Sequence, residues 1–120
     1  MDFDREAQKF LEENHTCVMV TLRANGIAHV VRVNCGLVDG KLWSLSAKNR
    51  VRTKHLLAHP HATLGVLARD RRWIGIEATV TMHDGSDVPQ RALALQRAQG
   101  REPEDIDTFL KEMAAQARVM

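Results

Sequence analysis

The sequence predicts an α+β fold: a small antiparallel β-barrel of five strands with flanking helices, in a single domain over residues 1–120. Three observations lead there. Apolar residues at both ends of the chain recur with helical spacing, whereas those in the middle alternate with a period of two. Two dipeptides, Asn25-Gly26 and Asp39-Gly40, stand between alternating runs where hairpin turns belong.

Taken in order, Phe3, Ala7, Phe10 and Leu11 share one face of a short amphipathic helix over residues 3–12. The first strand is "TCVMVTL" (16–22) and the second "IAHVVRVNCGLV" (27–38). "KLWSLSA" (41–47) completes a three-stranded meander. A short helix is expected from about Asn49 to Ala58, ended by Pro60. "HATLGVLA" (61–68) reads as the fourth strand and "RWIGIEATVTM" (72–82) as the fifth. In the fifth, Ile74, Ile76, Ala78, Val80 and Met82 share one face, and Trp73, Gly75, Glu77, Thr79 and Thr81 the other. Two helices close the chain. One starts near Asp87, with Ser86 a possible cap, and ends at Gly100; the other begins at Pro103.

The turns also fix an expected register. A two-residue type I′ loop at Asn25-Gly26 sets Cys17 opposite Asn34 and Met19 opposite Arg32. Val18, Val20, Leu22, Val31, Val33, Cys35, Leu37 and Leu42 then form the core face. Cys17 and Cys35 point to opposite faces, which excludes a disulfide between them. Around Asp39-Gly40 the same reasoning pairs Trp43 with Gly36 and Leu45 with Asn34. The outer face mixes Met19, Thr21, Val30, Arg32, Asn34, Trp43 and Leu45, and such a half-apolar face calls for a covering subunit or a flat ligand.

Composition narrows the function classes. Nothing approaches the length of a transmembrane helix, and the acidic, periodic N-terminus does not fit a signal peptide, so a cytoplasmic protein is expected. A net charge of +2 and only 4% aromatic residues with no Tyr argue against a nucleic-acid-binding barrel, which stacks bases on aromatics. Charge is nevertheless concentrated locally. Between Leu42 and Arg69 there is no Asp or Glu, yet Lys48, Arg50, Arg52 and Lys54 fall within it. Either this is a solvated basic face pairing with the acidic terminal helices, or it binds an anion. His55 and His59 have the i, i+4 spacing of zinc ligands with His61 beyond, but no Cys or carboxylate lies near in sequence to complete a set, so no metal is expected. His29 is expected at the rim of the core face with a satisfied hydrogen bond. Trp43 and Trp73 read as packing residues more readily than as ring stackers. Cys17 and Cys35 read as small apolar strand residues.

"VMVTLRANGIAHVVRVN", "VDGKLWSLSA", "RVRTKHLLAHPHATLGVL" and "WIGIEATVTM", in that order and spacing, resemble the split β-barrel flavoproteins related to pyridoxamine 5′-phosphate oxidase. Within them the chain is similar to the actinobacterial subgroup that uses the deazaflavin coenzyme F-420. The basic-basic-Leu-Pro pattern of that family falls on Arg52, Lys54, Leu56 and Pro60. The resemblance implies an oxidoreductase, a homodimer that binds its coenzyme between subunits and passes hydride to a small unsaturated molecule. It implies that Arg32, Val33 and Asn34 meet the ring, and that Ser46, Ala47, Lys48, Arg50, Arg52, Thr53 and Lys54 hold the phosphate. Coenzyme F-420, with its phosphodiester and polyglutamate tail, suits an acid-free segment better than FMN, the alternative cofactor. Relatives continue into a final barrel strand at the point where this chain reads "ARVM", so that strand is expected to be missing. No side chain stands out as a general acid or base. A cofactor-free binding module is the rival reading.

Overall fold

A computed structural model of the chain describes residues 3–47, 50–115 and 118–119. The elements run α1 (Arg5–Glu13), β1 (Thr16–Leu22), β2 (Ala28–Asn34), β3 (Gly36–Val38), β4 (Lys41–Trp43), β5 (Ser46–Ala47), α2 (Val51–Ala58), β6 (His61–Leu67), β7 (Trp73–Thr79), α3 (Val88–Ala98), α4 (Ile106–Ala115) and β8 (Arg118–Val119). The α+β class, with an antiparallel barrel-like sheet and flanking helices, is as expected. The connectivity is less of a meander than expected. The main sheet has the order β2-β1-β6-β7, so β6 returns beside β1 after the α2 crossover. The expected second strand divides at Cys35, whose N–H closes the β1–β2 ladder on the His15 carbonyl at 2.9 Å. Its second half, β3, pairs with β4 alone, and β5 pairs with β8.

Local chemistry accounts for the helix ends. Asp4 caps α1, accepting from the Ala7 N–H at 2.7 Å. α3 starts one residue after Asp87, and Ser86 does not cap it. Its end is a Schellman turn: Gly100, at φ 78°, donates to Arg97, and Arg101 donates back to Gln96. α4 begins later than Pro103, with Asp105 accepting from the Thr108 N–H.

The second hairpin follows the sequence expectation. Asp39 and Gly40 both have positive φ, and Gly36 pairs with Trp43. The first hairpin does not. Gly26 donates to the Arg23 carbonyl at 2.9 Å, and Arg23 pairs with Ile27, giving a three-residue loop with only Gly26 left-handed. The Asn25 side chain, expected to mark a type I′ turn, instead accepts from the Ile27 N–H at 3.0 Å. The pairing therefore slips by one residue: Cys17 faces Val33 and Met19 faces Val31. A slip of one turns a strand over. Cys17, Met19 and Thr21 are buried, while Val18 and Val20 move to the outer face and Leu22 is 46% exposed. Cys17 and Cys35 thus share the interior, contrary to the expected opposite faces, and both are free thiols. The expectations for β2 and β7 stand, since Val31, Val33, Ile74, Ile76 and Ala78 all pack inward.

Two apolar clusters result. One lines the inner side of the barrel with Leu11, Cys17, Met19, Val33, Leu56, Val66 and Ile76. The other seats Val88, Ala92 and Leu95 of α3 against Trp43, Leu45, Phe109 and Met113. Gly36 permits that seating, because a Cβ there would lie 2.9 Å from Leu95 Cδ1. Among the described residues, no helix is long and apolar enough to cross a membrane.

The register is open to test. Met19→Lys should abolish cooperative unfolding because it buries a charge, whereas Val20→Lys should keep a cooperative transition; the opposite order would reinstate the two-residue turn. Gly26→Ala should lower stability by roughly 1–2 kcal/mol in denaturant titrations through backbone conformation alone, since a Cβ there meets nothing within 4 Å.

Candidate functional site

Helix α2 is held at its inner face by polar contacts. Thr53, buried, shares a hydrogen bond with the buried Ser46 hydroxyl at 2.8 Å. Two residues on, His55 Nδ1 and Thr21 Oγ1 are 2.9 Å apart, bridging α2 to β1. These contacts aim the start of the helix outward. Arg50 is the N-cap residue, in extended conformation with no side-chain cap bond, and the first turn holds no acid. The helix end therefore keeps its positive partial charge.

Beside it lies a pocket of about 410 Å³. Arg32 enters it from β2, Arg50 and Arg52 from the start of α2, and Arg101 from beyond α3. Asn34, Gln96 and Gln99 add polar groups, and Leu45, Leu95 and Phe109 apolar walls. No Asp or Glu is among the lining residues. Arg52 also donates to the Leu45 carbonyl at 3.4 Å. The ion pairs found among the described residues, Arg72–Asp70, Arg91–Asp87 and Arg97–Glu102, use none of Arg32, Arg50 and Arg101. Among the described residues, Arg50 thus has no ion pair with an acid of the terminal helices. An anion drawn into this pocket meets guanidinium groups and a helix N-terminus together.

Of the residues singled out in the sequence, Arg32, Val33, Asn34, Arg50 and Arg52 come together here. A helix starting near Asn49, as the sequence suggests, would set Arg50 and Lys54 on one face; because α2 begins at Val51, with Arg50 extended before it, Arg50 and Arg52 share the pocket instead. Lys54 is exposed and lines neither of the two cavities described. Ser46 and Thr53 lie behind, against the barrel interior. Ala47 contributes backbone to the short β5–β8 ladder, and Lys48 lies outside the described residues. Arg101, Gln96 and Gln99 join the site without a linear motif to mark them. The one sequence signal for Arg101 is its place after a helix-ending glycine, which turns the chain back over the end of α3.

A second, larger cavity of about 760 Å³ occupies the barrel itself. Its walls include both cysteines, whose thiols interact. The bond from Cys35 holds the Cys17 thiol below its usual range, while the same contact and burial push Cys35 up. Trp43 stands at its mouth, with the Arg91 guanidinium 4.9 Å from the ring centroid and the His83 ring at 5.0 Å. Trp73 is on the outer face, 69% exposed. The histidines are drawn into protein contacts: His29 stands edge-on to His55 at 5.1 Å, and His59 to His61 at 4.9 Å. His29 Nδ1 is buried with no hydrogen-bond partner, unlike the satisfied rim residue expected.

Solved structures share this architecture. The conserved hypothetical protein Rv2991 of Mycobacterium tuberculosis superposes with a TM-score of 0.83 at 14% identity, over 99% of this chain and 78% of its own. An F-420 reductase matches with a TM-score of 0.69 at 19% identity, over 93% and 86%. A NimC/NimA family protein of Clostridium acetobutylicum matches with 0.64 at 20% identity, over 88% and 75%. No curated protein sequence matches the chain. The family model for pyridoxamine 5′-phosphate oxidase matches residues 3–118, nearly the whole length, and the chain belongs to that family.

Proposed function

We propose that the arginine pocket holds the phosphate end of a flavin-type coenzyme, coenzyme F-420 in first place and FMN as the alternative. The protein is then an oxidoreductase acting on a small unsaturated molecule. One observation carries this reading: four guanidinium groups from three separate chain segments converge on an uncapped helix N-terminus, with no acid lining the space. Family membership and the likeness to an F-420 reductase support it. The coenzyme, when bound, supplies the hydride chemistry, and the protein supplies placement and electrostatics. Arg50 and Arg101 serve the phosphate end. Arg32, Val33 and Asn34, on the β2 side, serve the ring. Among the described lining residues there is no carboxylate, cysteine or histidine to move a proton, so the pocket's own role is to bind and orient.

The outer face of the main sheet supports a homodimer. The register sets Val20 beside Val30, Val18 beside Gly65, and Leu67 beside Trp73 on one side of the sheet. Val30 and Trp73 are each more than 60% exposed there. A half-apolar face of this kind, with Arg32, Thr63 and Glu77 set among the apolar residues, fits a second copy related by a two-fold axis.

Purification from a host that makes both coenzymes, followed by an absorbance spectrum of the retained ligand, should show the deazaflavin. FMN alone would change the cofactor assignment, and affinity for neither would sink the reading. Arg50→Ala and Arg101→Ala should each weaken coenzyme binding about tenfold or more, the scale of a charge-assisted bond of roughly 1.5–3 kcal/mol, with the melting temperature unchanged. Val30→Asp should convert a dimer to a monomer in sedimentation velocity. A wild-type chain that sediments as a monomer would remove the dimer from the proposal.

A further inference from the structure

The barrel interior is too large to be a packing fault. Protein cores are close-packed, with few voids wider than a water molecule, yet this chamber measures about 760 Å³ in a 120-residue chain. That volume lies within the usual span of small-molecule sites, roughly 300–1,000 Å³. Most of its wall is apolar, with Met19, Leu42, Leu56, Leu64, Ile76 and Val80 lining it, and Ser46, Arg52 and Thr53 give it one polar side.

The mouth has a different chemistry. It opens between β4 and the segment beyond β7, roofed by the start of α3. Lys41, His83 and Arg91 stand around it. Arg91 is held over the Trp43 ring and paired with Asp87, which leaves the exposed Lys41 and the half-buried His83 as the mouth's other basic groups. Glu77 is the one carboxylate on this lining, and the alternation of β7 directs it to the outer face of the sheet. An apolar chamber with a cationic rim complements a molecule that has an apolar body and one acidic end.

We infer that the barrel interior is a second ligand site, separate from the arginine pocket, and that it takes an amphipathic anion such as a medium-chain carboxylate. The hydrocarbon chain occupies the barrel among Met19, Leu64 and Ile76, and the carboxylate sits at Lys41. Val33 and Arg52 line both cavities and form the wall between them. The inference is independent of the coenzyme, since the carboxylate needs none of Arg32, Arg50 and Arg101.

The chain has two tryptophans, so the full-length Trp73→Phe variant reports on Trp43 alone, at the mouth of the chamber. Sodium decanoate titrated into it should change the Trp43 emission saturably. Lys41→Glu should weaken decanoate at least tenfold while leaving 1-decanol, which has no charge, within a factor of two. Ala78→Phe should remove the response to both; if that variant lowers the melting temperature, Ala62→Leu, on the same wall, serves instead. The absence of a saturable change in the parent would overturn the inference. So would decanoate affinity that survives the filling variant, or affinity lost in Arg101→Ala but kept in Lys41→Glu. None of these results bears on coenzyme binding, which is read separately by absorbance.

Discussion

The left-handed conformation of Gly26 governs much of the molecule's internal arrangement. With φ at 84° it closes a three-residue loop, and that loop sets the pairing of β1 with β2. The pairing turns Cys17, Met19 and Thr21 inward. Thr21 is then in place to share its hydroxyl with His55, tying α2 to the floor of the barrel. Once α2 is tied, its start projects outward and Arg50 and Arg52 meet Arg32 across a gap. A loop shorter by one residue would bury Val18 and Val20 in place of this set, and Thr21 would no longer reach His55 from inside.

Among the described residues, the arginine pocket gathers guanidinium groups with no carboxylate in its lining. Like charges gathered at a helix N-terminus repel one another and reinforce the helix dipole rather than offset it. Chains often neutralise such groups with neighbouring carboxylates, as Arg72, Arg91 and Arg97 are neutralised here by Asp70, Asp87 and Glu102. Among the described residues, Arg32, Arg50 and Arg101 have no such carboxylate partner. That difference within one small protein is the physical ground for assigning an anion to the pocket.

Two chambers with unlike chemistry stand back to back. The outer one is cationic and shallow, between the sheet edge, α3 and α4. The inner one is mostly apolar, with Lys41, His83 and Arg91 at its mouth and Arg52 on the wall it shares with the outer one. Arg52 and Val33 belong to both, so a ligand in one shares a wall with any ligand in the other. The buried thiols of Cys17 and Cys35 belong to the inner chamber, where Cys35 holds the Cys17 thiol below its usual range while Cys17 and burial push Cys35 up.

The sequence by itself determined the elements and their class. The Asp39-Gly40 turn, the inward face of β7, the α2 segment with its acid-free start, and the family were all legible, because each depends on local periodicity, turn chemistry or a linear pattern. Arg50, Arg52 and Lys54 were legible as a basic cluster, but which of them share a pocket depended on where α2 begins, and its start at Val51 brings Arg50 and Arg52 together. What only the tertiary structure decided is which side of β1 faces in and what meets Arg50 and Arg52 across space. β1 is apolar on both faces, as a strand paired on both sides can be, so alternation could not choose between registers one residue apart. Arg101 and the glutamines of α3 reach the site through the docking of Leu95 on Gly36, a contact between segments far apart in sequence that no local pattern encodes.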